Sequence, residues 1–435
     1  MQPERWQQVE KLYQAAQIMG ATKPMAVIWA MGITQHIVGV RNVMTLANLQ
    51  MLLGNMGKPG GGVNPLRGQN NVQGACDMGC LPNTYPAYQS VTSEEAQKKF
   101  AAAWGATAGL NVGMTVTEMM PGIPAGKIKA LYVMGEDPVT SDPDSAHIRH
   151  CLDELEFLVL QDIFPTETSK FADVLLPGVS FAEKEGTFTN TERRVQLARR
   201  AISPFAEGRP DWQITAGIAQ RILSGGGREV QDAPARGWDY ADASAIMDEI
   251  RTVTPSYHGI SYQRLANGER LQWPVPALDH PGTPILHTKG FARGKGKFMP
   301  IDHIPSPELP DDEYPMILST GRVIYHWHGG ALTRRASGLM AVYGNALVEV
   351  NPLDAEHLGL SPEKSARGIV RVTSRRGQIE AEAWVTDRVP PGMVFANFHF
   401  PEASANELTI STFDPVSKIP SYKVCAVRVE RVTES

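Results

Sequence analysis

Short apolar runs recur along the chain, each closed by glycine or by a cluster of polar residues. Met25-Ala26-Val27-Ile28-Trp29-Ala30-Met31-Gly32 reads as a buried strand running into a loop. The pattern returns in Ile128 to Gly135 and in Glu156 to Asp162, each a strand whose carboxyl end delivers polar residues. Ahead of the first run, Arg5 to Ala21 has helical composition, and after it Val38 to Gly54 predicts a second helix, stopped by Gly57-Lys58-Pro59-Gly60. From about Gly225 to Asp312 the text is irregular, with Gly225 to Gly227, Pro274 to Pro284 and Pro305 to Pro310 interrupting any long element. Strands are predicted again at Tyr314 to Thr320, Ala346 to Val350, Ile369 to Thr373, Ile379 to Thr386 and Cys425 to Val429. Strands alternating with helices and then short strands with turns between them predict an α/β fold followed by a carboxyl-terminal β-barrel domain.

One segment fits none of these periods. Gly61 to Gly79 holds a single cation, Arg67, among Gln69, Asn70, Asn71 and Gln73 and a high density of glycine, so a shaped loop is expected. The planar fork of Arg67 can grip a carboxylate or phosphate with two parallel hydrogen bonds, and the amides add neutral donors and acceptors. A small anionic substrate suits it. A polar surface loop is the plainer alternative for such a stretch.

The totals narrow the field. With 42% hydrophobic and 20% charged residues the chain has the composition of a soluble globular enzyme of two or three domains. A formal charge of −5 without a long Lys/Arg block argues against a nucleic-acid footprint. No apolar stretch reaches bilayer length, and Met1-Gln2-Pro3-Glu4-Arg5 opens no signal-peptide core, so a cytoplasmic location is expected. The four cysteines, Cys76, Cys80, Cys151 and Cys425, form no CxxC pair and suggest a reducing compartment.

In open α/β sheets, ligands sit beyond the carboxyl ends of parallel strands. Gly135-Glu136-Asp137 and Asp162 fall there, where a nucleotide is expected, although helix capping would also account for either aspartate. Further on, His326 and His328 lie two apart; in an extended segment they would share a face, yet no nearby residue completes a zinc site.

Several blocks share an order and spacing with one family. The Gly61 to Gly79 run, Trp29 to His36, Met134-Gly135-Glu136-Asp137-Pro138, Gln161 to Phe164 with Thr166, Ala172 to Pro177, Glu185 to Arg194 and Gly208-Arg209-Pro210-Asp211-Trp212 resemble the molybdenum- or tungsten-dependent formate dehydrogenases, of the bis-molybdopterin guanine dinucleotide family. The resemblance covers nearly the whole chain. It implies α/β domains of dinucleotide-binding type with a barrel cap, divided as 1–70, the end of one α/β domain; 71–285, a dinucleotide-binding α/β domain; 286–312, a linker; and 313–435, the barrel.

It also implies chemistry. The cofactor would be a molybdenum or tungsten ion held by two pterin dithiolenes carrying guanine dinucleotide tails, with formate and carbon dioxide as the reacting pair. Arg67 would orient formate, and Gln69 would pack and hydrogen-bond beside the pterin. Met31, Gln35, Gly135, Asp137, Ser141, Asp162, Asp211, Arg322, His326, His328, Tyr422 and Lys423 match the family's cofactor positions, and Asn397 to Pro401 resembles a contacting segment. A cysteine or selenocysteine metal ligand and a [4Fe–4S] cluster precede the arginine in complete family subunits. The 66 residues ahead of Arg67 contain no cysteine, so no metal ligand is assigned in this chain. An amino-terminal portion is therefore expected elsewhere, through a selenocysteine codon read as a stop or a genuinely split subunit, together with an iron–sulfur electron-transfer subunit. A nitrate reductase-like enzyme and a cofactor-binding module without turnover are the alternatives; an arginine followed by Gly-Gln-Asn-Asn favours the formate enzymes.

Overall fold

The computed structural model describes residues 3–105, 109, 111–225, 237–363 and 367–433. Gly226 and Gly227, part of the predicted break, lie outside the described residues. After α1 (Pro3–Ala21), β1 (Ala26–Trp29) leads through α2 (Met31–Thr34) and α3 (Gly39–Leu52) to β2 (Gly62–Pro65). The two strands are parallel, with Ala26 opposite Gly62 and Trp29 opposite Pro65. Gln50, fully buried on α3, ties them from behind by donating to the carbonyls of Met25 and Gly62, both at 3.1 Å. Then come α4 (Val72–Asp77), the short hairpin β3 (Thr84–Tyr85) and β4 (Gln89–Ser90), α5 (Glu94–Trp104) and α6 (Val116–Gly122).

A second sheet is parallel in the order β5 (Ala130–Met134), β6 (Phe157–Asp162), β7 (Val174–Pro177), with α7 (Pro138–Ser141) and α8 (Ser145–Asp153) crossing between its first two strands. Leu158, Ile148, Cys151, Leu152, Met120 and Ile123 form its core. An antiparallel sheet follows, β8 (Gly186–Thr189), β9 (Arg194–Ala198) and β10 (Leu271–Gln272), accompanied by α9 (Asp211–Leu223), α10 (Ala243–Val253) and α11 (Tyr262–Ala266).

The last strands close into a six-stranded barrel: β11 (Met316–Gly321), β12 (Leu347–Val350), β13 (Ile369–Thr373), β14 (Gln378–Val385), β15 (Met393–Asn397) and β16 (Cys425–Arg431), with α12 (Ser337–Val342) and α13 (Pro352–His357) in the connections. Neighbours run in the order β11, β15, β12, β14, β13, β16 and back to β11. Alternate residues point inward, which buries Leu318, Val348, Val350, Val370, Val372, Val394 and Val427 completely. Of the predicted linker, Glu308 is fastened to the barrel by a two-pronged bond from Arg376 (2.7 and 2.8 Å) and by the amide of Ala426 (2.8 Å).

Two expectations need correction. The Gly61 to Gly79 run is not all loop: Gly62–Pro65 pairs as β2 and Val72–Asp77 coils as α4, leaving Leu66 to Asn71 as the loop between. Strand pairing and a turn at Asn71, whose φ is 57°, override the glycine content. Asn397 ends a strand the polar text around it concealed, β15, which pairs with both β11 and β12.

Leu318 has no exposed surface, so Leu318→Ala should cost about 2–5 kcal/mol of barrel stability. Urea unfolding followed by circular dichroism reads this; a loss below about 1 kcal/mol would contradict such tight packing.

Candidate functional site

The carboxyl ends of β1 and β2 place two site segments side by side. The amide of Leu66 donates to Trp29 O at 2.7 Å, so the chain leaves both strands together, one toward Met31 and Gln35, the other toward Arg67. Gln35, buried, donates through Nε2 to Met31 Sδ at 3.2 Å. Arg67 is exposed; its amide donates to Thr191 Oγ1 at 3.1 Å and its Nε to Gln73 Oε1 at 3.1 Å. Thr189 N donates to Asn71 Oδ1 at 2.9 Å, so the turn between β8 and β9 braces the whole loop. Gln69 is exposed beside it.

The barrel contributes the opposite wall. Arg322 follows β11 and reaches Met31 Sδ with Nη2 at 3.2 Å while its guanidinium lies over Trp327, 5.7 Å from the ring centre. A Cβ on residue 68 would stand 2.9 Å from Arg322 Nη2 and would push the guanidinium aside, so glycine lets the Arg67 loop lie against Arg322 as it stands. Lys423 Nζ donates to Thr320 O. Burial, then repulsion from Arg322, pushes the Lys423 amine down to about 8, and burial lowers Arg322 as well. Among the described residues neither cation has a carboxylate within ion-pairing distance.

The two histidines part company. The chain does not stay extended beyond Gly321, and His326 turns inward: its ring bonds Thr333 Oγ1 at 3.1 Å and Tyr343 O at 2.6 Å. His328, with φ of 45°, leaves Nε2 buried and without a hydrogen-bond partner. Its imidazole is pushed down to about 4 by burial, then by Arg322. The shared face expected from their spacing is therefore absent, because the strand ends before it reaches them. His399 holds this turn, accepting from Val323 N at Nε2 (2.9 Å) and donating from Nδ1 to His328 O.

At the second sheet, Gly135 leaves β5 with φ of 63° and donates to Gln161 O at 2.9 Å. Asp137 spends its carboxylate internally, accepting from Thr168 N (2.9 Å), Thr168 Oγ1 (2.6 Å) and Thr140 Oγ1 (2.6 Å). Asp162, half-buried at the end of β6, accepts from Ile163 N at 2.6 Å, and burial raises its carboxyl. Asp211 opens α9, accepts from Gln161 Nε2 at 2.8 Å and pairs with Lys184. Asp162 and Asp211 thus share the carboxyl edge of the sheet. Ser141 Oγ approaches Glu136 Oε1 and Asp142 Oδ1, and Tyr422, buried in the barrel domain, donates to Ser141 O at 2.8 Å. That bond joins the two walls.

Sequence reasoning missed the partners that lie far along the chain. Thr168 and Lys184 act through contacts between distant segments, which no local spacing announces, whereas Thr191 and His399 lie in blocks that the resemblance had already marked. Among the described residues no group of three His, Cys, Asp or Glu side chains stands close enough to hold a metal ion, and no helix is long and apolar enough to cross a membrane.

Comparison with known proteins settles the family. Residues 9–221 match the Molybdopterin oxidoreductase model and residues 316–426 the Molydopterin dinucleotide binding domain model. The chain belongs to the molybdopterin oxidoreductases. Relatives in this family include the F420-dependent formate dehydrogenase subunit alpha of Methanocaldococcus jannaschii, 46% identical over 97% of the chain and 60% of the relative, and formate dehydrogenase H of Escherichia coli, 36% identical over 98% and 58%. The chain thus spans about 60% of the length of such relatives. Acetylene hydratase from Pelobacter acetylenicus shares the fold at TM-score 0.66 and 13% identity, over 96% of the chain and 62% of that structure.

Asp142 carries a pH signature for this molybdopterin oxidoreductase. It lines a cavity of about 190 Å³ between α6, α8 and Ser411 and Phe413. Its carboxyl is pushed up to about 7, by burial first and then by Glu136 and Asp137. The folded group keeps its proton to that pH whereas an unfolded one releases it near about 4, so stability falls as pH rises through this window. Asp142→Asn should therefore raise the melting temperature at pH 8 and change it little at pH 4. An equal shift at both values would contradict the raised carboxyl.

Proposed function

We propose that this chain forms the pterin-binding and formate-gripping part of a formate dehydrogenase that interconverts formate and carbon dioxide. The observation that carries the reading is Arg67: its Nε is committed to Gln73, while among the described residues Nη1 and Nη2 have no protein partner. That free edge matches the two oxygens of a carboxylate, and relatives named as formate dehydrogenases match along 97% and 98% of the chain.

The residues present fit bis-molybdopterin guanine dinucleotide. Arg322 and Lys423 are half-buried cations with no carboxylate against them among the described residues, and His328 Nε2 is a buried nitrogen without a hydrogen-bond partner. Each calls for an anionic or hydrogen-bonding ligand in the cleft beside Met31, Gln35 and Gly68. Asp162 and Asp211 are proposed to receive a guanine edge, with Gly135, Asp137 and Ser141 shaping the backbone around it and His326 supporting His328 from behind. When bound, the molybdenum or tungsten centre supplies a two-electron acceptor.

The chain's own residues supply position. Arg67 holds formate by both oxygens, so its C–H bond has one orientation, and Gln69 flanks the arginine on the exposed side. His328, held neutral by burial and Arg322, donates or accepts without adding charge at the pterin. The α/β segments and the barrel are proposed as dinucleotide-binding domains on the two sides of the cleft. Polypeptide beyond these 435 residues is proposed to carry the metal's cysteine or selenocysteine ligand and the iron–sulfur centre, and an iron–sulfur subunit to take the electrons.

Arg67→Ala in the metal-loaded enzyme should lower kcat/KM for formate by about 10²- to 10⁴-fold, the loss of two charge-assisted hydrogen bonds, with bound metal unchanged. Steady-state kinetics with metal analysis measures this. Near-normal turnover would remove Arg67 from the substrate site.

A further inference from the structure

Behind Arg67 lies a polar cluster that the formate reading leaves unused. Gln73 and Asp77 on α4 are buried, at 6% and 1% exposure, and Tyr257, at 2%, closes over them from the segment before α11. Gln73 Nε2 donates to Asp77 Oδ1 at 2.7 Å and to Tyr88 Oη at 3.0 Å. Tyr88 donates to Asp77 Oδ1 at 2.9 Å, and Tyr257 donates to Asp77 Oδ2 at 2.5 Å. A carboxylate only accepts hydrogen bonds, so Tyr88, Tyr257 and Gln73 must each turn a polar hydrogen toward Asp77. The amide of Gln73 has then one permitted orientation: NH₂ toward Asp77 and Oε1 toward Arg67.

We propose that Asp77, acting through Gln73, is a positioning residue that locks the guanidinium of Arg67 by its Nε edge and so presents the Nη1/Nη2 edge, end-on, to the carboxylate substrate. The proposal rests on the formate reading of Arg67. A guanidinium can take a carboxylate either through Nε and one Nη or through both Nη atoms. With Nε donating to Gln73 at 3.1 Å, the first mode is closed. The backbone shows the same demand for placement: Ala87 and Tyr88 take φ of 61° and 57°, a left-handed pair of non-glycine residues that aims the Tyr88 hydroxyl into the cluster. Arg193, the nearby cation, is engaged with the carbonyls of Trp273, Thr283 and Pro284 and leaves Asp77 to the hydroxyls and the amide.

The test is a polarity swap in the metal-loaded enzyme. Asp77→Asn puts an NH₂ within the cluster, which lets the Gln73 amide turn its own NH₂ toward Arg67. KM for formate should rise about tenfold with kcat within about twofold, as expected for lost ground-state positioning, and with metal content unchanged. Gln73→Met removes the same contact if the Asp77→Asn enzyme does not accumulate. The double variant Gln73→Glu/Asp77→Asn restores an acceptor facing Arg67 and a donor behind it at the same net charge. Its KM should return to within about threefold of the parent. A raised KM that the double variant fails to rescue would overturn the relay, because a merely structural role has no such polarity. An unchanged KM in both Asp77→Asn and Gln73→Met, beside lost turnover in Arg67→Ala, would also overturn it while leaving the formate reading standing. Full turnover in Arg67→Ala would remove both.

Discussion

Two half-buried cations with no carboxylate against them among the described residues are the constraint on which the rest of the site depends. Arg322 and Lys423 hang from the end of β11 and from the segment entering β16, at the rim of a barrel with a large apolar core. Their nearest bonded partners are a thioether and a backbone carbonyl. Burying charge without a counter-charge is expensive, and a fold keeps such an arrangement where a ligand supplies the balance. On the proposed reading, the cleft between barrel and α/β segments receives an anion there.

The architecture meets that constraint from three directions. Parallel pairing of β1 and β2 brings Met31 and Arg67 out at one edge, and the Gln50 amide fixes that pairing from inside. The second parallel sheet sets Asp162 and Asp211 at its own carboxyl edge. Tyr422 and Asn406 then fasten the barrel to α7 through the carbonyls of Thr140 and Ser141, which holds the cations across from the strand ends. The acidic cluster of Glu136, Asp137 and Asp142 lies beneath these bonds, where burial pushes the carboxyls of Glu136 and Asp142 toward the neutral form. A fold shared with acetylene hydratase at 13% identity does not itself choose the reaction. On the proposed reading the Arg67 loop does that.

Much of this was legible in the text of the chain, and the failures share a cause. Periodicity located β5, β6 and β13 nearly to the residue because each is a compact apolar run with glycine or polar residues after it. It missed β15, whose Met393 to Asn397 adjoins a proline-rich turn, and it read the Gly61 to Gly79 run as loop because strand pairing at Gly62 and helix formation at Val72 are decided by distant partners. The histidines show the same limit. Their spacing implied a shared face, but His326 is claimed by Thr333 and Tyr343 once the strand has ended. Motif resemblance named residues, Met31, Gln35 and Arg322 among them, that the structure brings together. It did not show that Asp137 is occupied by Thr140 and Thr168, nor that Asp77 gathers two tyrosines and a glutamine behind Arg67, because those bonds depend on geometry between remote segments.

The most direct measurement of the central claim is a crystal structure of the cofactor-loaded protein. The account predicts phosphate or pterin oxygens within about 3.5 Å of both the Arg322 guanidinium and Lys423 Nζ, and a ligand atom against His328 Nε2. A cofactor seated elsewhere, with both cations turned to a protein carboxylate or to solvent, would contradict it.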